Sequence, residues 1–177
     1  MIINRVWAMP NKWTFQIPPI AKLLFRYVGD GKGWIDPFAG MASFAEITND
    51  LNPNKPTIYH MEAVDFIKQL QQNYKGILFD PPYSCRQVTE CYQSIGLKAS
   101  SMDTSSNFTS RVKDAAQDKI TLGGYAISCG WNSGGFGKGR GFEIIEILLV
   151  AHGGSHNDTI VTVEQKKYHR KSMELNI

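Results

Sequence analysis

Gly76-Ile77-Leu78-Phe79-Asp80-Pro81-Pro82-Tyr83-Ser84 runs an apolar stretch directly into an acid, two prolines and an aromatic ring. The apolar part reads as a buried strand, 76–79, and the prolines end it. Each proline holds its own φ near about −65° and pushes the preceding residue towards extended geometry. Asp80, the Pro81 carbonyl and the Tyr83 ring are thus placed together, at a strand end, before any ligand arrives. A planar amino group stacked on Tyr83 could donate its two hydrogens to the Asp80 carboxylate and the Pro81 carbonyl. The same tetrapeptide also serves as an ordinary turn with Tyr83 capping a core.

Working outward, Trp34-Ile35-Asp36-Pro37-Phe38-Ala39-Gly40 repeats the arrangement, with a strand entering an acid, a proline and a glycine-bearing turn. Helical spacing of Ile20, Leu23, Leu24 and Tyr27, ended by Gly29-Asp30-Gly31, predicts a helix before that strand. Further strands are expected at 45–51, 57–62, 124–129, 142–151 and 159–163, the last two forming a closing hairpin. Helices are expected at 63–72, 86–95 and 110–120. Residues 1–19 carry too many prolines for regular structure and read as an ordered arm. Residues 84–107 and 130–141 read as long loops, and 166–177 as a basic tail that frays.

Strands alternating with helices indicate an open α/β sheet, in which ligands sit beyond the carboxyl ends of the strands at the switch in strand order. Asp36, Asp50, Glu62 and Asp80 all fall at or just after strand ends, so all four could line one crevice.

The 177 residues suit one domain spanning 1–177. Hydrophobic residues at 42% and charged residues at 20% are ordinary for a globular chain. No apolar run approaches a membrane span, and Met-Ile-Ile-Asn-Arg lacks the blocks of a signal peptide, so no membrane partner and a cytoplasmic location are expected. Cys85, Cys91 and Cys129, without CxxC spacing, read as free thiols and argue against zinc. His152 and His156 have no evident third ligand and read as hairpin-turn residues, so no metal is expected. The net charge of +3 permits nucleic-acid binding without demanding it.

The pair Asp36-Pro37-Phe38-Ala39-Gly40 and Asp80-Pro81-Pro82-Tyr83 resembles the S-adenosylmethionine-dependent amino methyltransferases of DNA, especially those making N6-methyladenine. The resemblance implies a Rossmann-like methyltransferase fold: a mixed seven-stranded sheet with an antiparallel last strand. It implies S-adenosylmethionine as cofactor, with Asp36, Pro37, Phe38 and Gly40 forming the loop under its methionine part. Asp50 would hold the ribose hydroxyls, and Glu62 with Ala63 would lie beside the adenine; Glu62 reads equally as a solvated acid opening a helix. Trp13, Thr14 and Phe15 resemble the segment that closes over the cofactor, or else an arm packed on the core. Asp80, Pro81, Pro82 and Tyr83 would hold a target adenine flipped from the duplex. One departure is that only 14 positions separate Asp36 from Asp50, too few for the usual intervening helix.

The expected partner is DNA, with RNA as the alternative because ribosomal RNA methyltransferases carry similar tetrads. An Asp in the first tetrad position fits adenine better than cytosine. A non-catalytic nucleic-acid-binding subunit is the reading from another class, and a homodimer or a separate specificity partner is compatible with the length. Target contacts are expected from Arg86 and Lys98 in the first long loop and from Lys138 and Arg140 in the glycine-rich one, where glycine lets backbone approach a phosphate. That glycine-rich stretch is equally readable as a plain connection.

Overall fold

The computed structural model describes residues 1–71, 73–105, 107–154 and 156–169. Its strands are β1 (Ile2–Trp7), β2 (Trp34–Asp36), β3 (Ile47–Thr48), β4 (Tyr74–Phe79), β5 (Ile120–Gly130), β6 (Phe142–Ala151) and β7 (Thr159–Lys166). Its helices are α1 (Pro18–Val28), α2 (Ala63–Gln69), α3 (Cys85–Gln93) and α4 (Phe108–Ala116). The strands form one seven-stranded sheet in the order β1-β6-β7-β5-β4-β2-β3. β7 runs antiparallel to both β5 and β6, and every other pairing is parallel. The expected α/β fold, with its antiparallel last strand, is therefore present. No helix among the described residues is long and apolar enough to cross a membrane.

Side chains alternate across the sheet and so divide the core in two. Leu78, Ile127, Cys129, Val161 and Val163 pack with α1 on one face, while Ile77, Phe79 and Ala126 pack with α2 and α4 on the other. α1 opens on Pro18 and Pro19, where a missing N–H costs nothing, and buries Ile20, Leu23, Leu24 and Val28. Its last turn is tied to β6: Arg26 and the Tyr27 hydroxyl each donate to buried Glu146 at 2.6 Å. Burial, then the bond to Glu146, raises the Tyr27 hydroxyl to about 12.

The arm departs from the sequence expectation. Residues 2–7 form an edge strand in parallel register with Glu146 to Ala151. Five of its six residues are exposed, so no buried face marks it as a strand; the free edge of β6 supplies the missing order. The expected strand at 57–62 shrinks to one bridge between Asn49 and Tyr59. The Asn49 side chain takes over the pairing. Its amide donates to the Pro37 and Met61 carbonyls at 3.1 and 2.9 Å and its oxygen accepts from the Met61 N–H at 3.1 Å.

The beginning of the presumed tail is also ordered. Lys166 lies inside β7, fully buried, with Nζ donating to the carbonyls of Gln117 and Ile120. The rest of that tail, 170–177, lies outside the described residues. His152 is buried as well, its ring bonded to the Ala8 carbonyl at 2.8 Å and Thr159 Oγ1 at 2.9 Å, so it locks the arm to the β6–β7 hairpin.

The glycine-rich connection from β5 to β6 crosses the sheet face with only a short 3-10 turn, at Lys138–Arg140. Phe136 plugs it into the core between Phe79 and Phe142, at ring separations of 5.5 and 5.1 Å. The Glu164 carboxylate accepts from the backbone N–H groups of Phe136 and Gly137 at 2.5 and 2.8 Å. Burial raises the Glu164 carboxyl, and those two N–H groups oppose the rise. Gly135 passes so close to Glu164, at φ 44°, that no side chain fits.

Candidate active site

In this strand order the chain switches direction between β4 and β2, the place where open α/β sheets leave a crevice. The carboxyl ends of β2 and β4 carry the two motifs, Asp36-Pro37 and Asp80-Pro81. Residues 37–46 between β2 and β3 hold no helix, so the loop after Asp36 closes directly onto the end of β3.

Asp36 is fully buried. Its carboxylate accepts from the Phe38 N–H at 2.9 Å and the Ser43 hydroxyl at 2.6 Å, and thereby shapes the loop from within. Desolvation raises its carboxyl to about 7; the two hydrogen bonds oppose that, and Asp80 and Asp50 add to it by like charge. The Phe38 ring turns into the core against Phe79 and Phe108. Asp50 remains half-buried, accepting from the Gly40 N–H at 3.1 Å and the Asn52 N–H at 2.8 Å. Gly40 sits at φ 57°, and the Trp13 ring lies 3.0 Å from where a Cβ would be, so the arm covers this loop. The ammonium groups of Lys12 and Lys55 lie 5.2 and 4.7 Å from the centre of that ring.

Thr14, beside Trp13, hydrogen-bonds both Asp80 and Tyr83. The segment 13–15 therefore joins the two motifs, Trp13 on the first and Thr14 on the second, while Phe15 is buried in the core. Glu62 stands at the N-cap position of α2 without a side-chain capping bond and accepts from the Tyr92 hydroxyl of α3 at 2.6 Å; Ala63 is buried behind it.

On the β4 side, the Tyr83 hydroxyl donates to Asp80 Oδ1. Burial raises the Asp80 carboxyl above the ordinary carboxylate range, and the bonds from Tyr83 and Thr14 pull it back. The Tyr83 hydroxyl is raised by burial and then by the Asp80 charge. The Tyr83 N–H donates to Gln87 at 2.6 Å, and Ser84 caps α3 by accepting from the Gln87 N–H, so the tetrad is anchored to the helix that follows it. The Tyr83 ring meets Trp131 edge-on at 5.6 Å. Beside it opens a cavity of about 170 Å³ lined by Pro81, Pro82, Tyr83, Ser128, Trp131 and Lys113 among others.

The four basic residues expected at nucleic acid are unlike one another. Lys98 and Lys138 are exposed. Arg86 is exposed on α3 and pairs with Glu90 at 2.7 Å. Arg140 is committed to the protein, donating to Asp114 at 2.9 Å, Ser110 at 2.7 Å and the Phe136 carbonyl at 3.0 Å, which pins the glycine-rich crossover to α4. Among the described residues, no three Asp, Glu, His or Cys side chains are grouped to hold a metal ion.

Sequence reasoning missed Asn49, Ser128 and Lys113. Asn49 was within reach, because it directly precedes Asp50 at a strand end. The other two gain meaning only when the crossover lies over the sheet.

The fold is that of the S-adenosylmethionine-dependent methyltransferases. The TrmN structure from Thermus thermophilus superposes with a TM-score of 0.55 at 16% identity over 85% of this chain, which spans about half of that protein, 49%. N-methyltransferase NodS from Bradyrhizobium japonicum, solved in complex with S-adenosyl-L-homocysteine, gives 0.56 at 8% identity over 89% of each chain. An rRNA methylase from Streptococcus thermophilus gives 0.51 at 10% identity over 83% of this chain and 93% of its own. The sequence matches no family model, and no curated protein sequence matches it.

Proposed function

We propose that this chain is a DNA methyltransferase that transfers a methyl group from S-adenosylmethionine to the N6 amino group of adenine. The observation that carries the reading is the Asp80-Pro81-Pro82-Tyr83 tetrad, set across the sheet's switch point from the Asp36 loop, with Pro81, Pro82 and Tyr83 lining a cavity of about 170 Å³. That volume lies well below the roughly 300–1,000 Å³ of pockets for drug-sized ligands, so it suits a single flat ring system.

The residues on the β2 side fit the cofactor. Asp36, Asp50 and Asp80 lie near enough for the latter two to raise the first by like charge, and their combined negative potential suits an organic cation. Gly40 and Asp50 would hold the methionine and ribose parts, Glu62 with Ala63 the adenine, and Trp13 would close the loop from above. When bound, S-adenosylmethionine supplies an electrophilic methyl group on a positively charged sulfur.

What remains for the protein is the acceptor, an amino group whose lone pair is delocalised into the base. Asp80 and the Pro81 carbonyl accept its two hydrogens, favour a tetrahedral nitrogen and aim the lone pair. The Tyr83 ring replaces the stacking lost when the base leaves the duplex. Catalysis then rests on positioning and electrostatics, with no covalent intermediate on the enzyme. Lys98 and Lys138, together with Arg86 once it leaves Glu90, are the side chains that would meet phosphates.

The test is incubation with methyl-labelled S-adenosylmethionine and, separately, unmethylated duplex DNA, single-stranded DNA and total RNA, followed by nucleoside analysis. Label as N6-methyladenine in DNA supports the reading. Label confined to RNA replaces the substrate, and cofactor binding with no label anywhere favours a subunit that needs a partner.

A further inference from the structure

Ser128 is 6% exposed, and its hydroxyl finds no hydrogen-bond partner among the described residues. A buried hydroxyl left unpaired is costly, so each one calls for an explanation. Its position suggests one. Ser128 pairs with Phe79 in the β4–β5 register, so it stands one strand over from the residue that precedes Asp80. Alternation along β5 puts it on the same face as Ala126, beneath the glycine-rich crossover, and it lines the cavity that Pro81, Pro82 and Tyr83 open. Lys113 borders the same cavity, with Nζ held by the Gly135 carbonyl at 2.5 Å. Pro81 and Ser128 thus belong to one cavity, while Asp80 is reached through Tyr83, which lines that cavity and whose hydroxyl bonds the Asp80 carboxylate.

Resting on the reading above that an amino-bearing base enters beside Asp80, we propose that Ser128 is a specificity-determining residue. Its hydroxyl donates to the ring nitrogen adjacent to the amino-bearing carbon, N1 of adenine, while the amino group donates to Asp80 and Pro81. An aminated six-membered ring with a neighbouring acceptor nitrogen satisfies Asp80, the Pro81 carbonyl and Ser128 together. A base with a ring N–H at that position leaves Ser128 facing a donor.

Thr162 provides an internal control. It is the direct cross-strand neighbour of Ser128 and carries the same kind of unpartnered buried hydroxyl, but it does not line the cavity. The experiment compares the intact protein, Ser128→Ala and Thr162→Val on random-sequence DNA containing either adenine or 1-deazaadenine, whose N1 is replaced by C–H. Changes in base pairing caused by the analogue are common to all three proteins and cancel in the comparison. Ser128→Ala is expected to lower kcat/KM on adenine by about tenfold or more, as loss of one buried hydrogen bond implies. On 1-deazaadenine it should match the unmutated protein. Its melting temperature should be unchanged or higher, because the free protein loses no bond. Thr162→Val should retain activity.

An unmutated protein that labels no nucleic acid overturns the functional reading and this proposal with it. An active unmutated protein overturns this proposal alone in either of two cases: Ser128→Ala equals it on adenine, or Thr162→Val falls as far as Ser128→Ala.

Discussion

Replacing Tyr83 by phenylalanine should make the protein a better catalyst at low substrate. In the ligand-free fold the Tyr83 hydroxyl donates to Asp80, the oxygen that the proposed mechanism reserves for the target amino group. An entering base must displace it. A hydrogen bond to a charged group contributes about 1.5–3 kcal/mol. Thr14 also bonds Asp80 and stays behind, so only the lower part of that range is released. About 1.4 kcal/mol corresponds to a tenfold change, and the expected gain in kcat/KM is of that order. The aromatic face is retained in Tyr83→Phe and lost in Tyr83→Ala, where stacking of about 1–3 kcal/mol per base disappears and activity should fall steeply. A second readout is the acid limb of the pH profile. Transfer needs the ionised Asp80 carboxylate, burial holds its carboxyl above the ordinary range, and the Tyr83 bond pulls it down. Removing the hydroxyl should therefore move the acid limb to higher pH. Initial rates of methyl transfer between pH 5 and 9 measure both effects. Tyr83→Phe as damaging as Tyr83→Ala, or an acid limb moving to lower pH, would refute the reasoning.

Asp36, with a folded value raised to about 7 against an unfolded 3.8, binds its proton more tightly in the folded state. Its contribution to stability is therefore present below the unfolded value and lost as pH rises towards 7, by on the order of 4 kcal/mol. Denaturant melts of Asp36→Asn between pH 4 and 8 should show this slope flattened. Gly135→Ala would bring a methyl group against Glu164 at a positive φ and should cost about 1–3 kcal/mol in the same melts. Arg140→Ala should destabilise the fold, since it frees the crossover from α4. Lys138→Ala should leave stability intact and reduce the salt slope of DNA affinity by about one unit. A Lys138→Ala protein with an unchanged salt slope would make the crossover only a connection.

Much of this molecule is legible along the chain. The strands ending in Asp36 and Asp80 are apolar runs closed by proline. α1 follows from helical spacing ended by glycine, and the β6–β7 hairpin from two long apolar strands around a glycine-rich turn. The compact loop from Asp36 to Asp50 follows from counting residues. These features are local, so their determinants lie within a few residues of one another. Sequence by itself therefore determined the α/β class of the fold and put both acidic motifs at strand ends.

Tertiary structure alone decided what depends on partners far apart in the chain. β1 is a strand because the edge of β6 receives it some 140 residues later. Arg140 is held by α4, Lys166 by carbonyls beside β5, and the glycine-rich segment by the buried carboxylate of Glu164. Whether Asp36 shapes its loop from within, whether Tyr83 closes over Asp80, and which hydroxyl stands without a partner beside them are set by packing. Burial and distance decide those outcomes, and neither is written in the residues' own neighbourhoods.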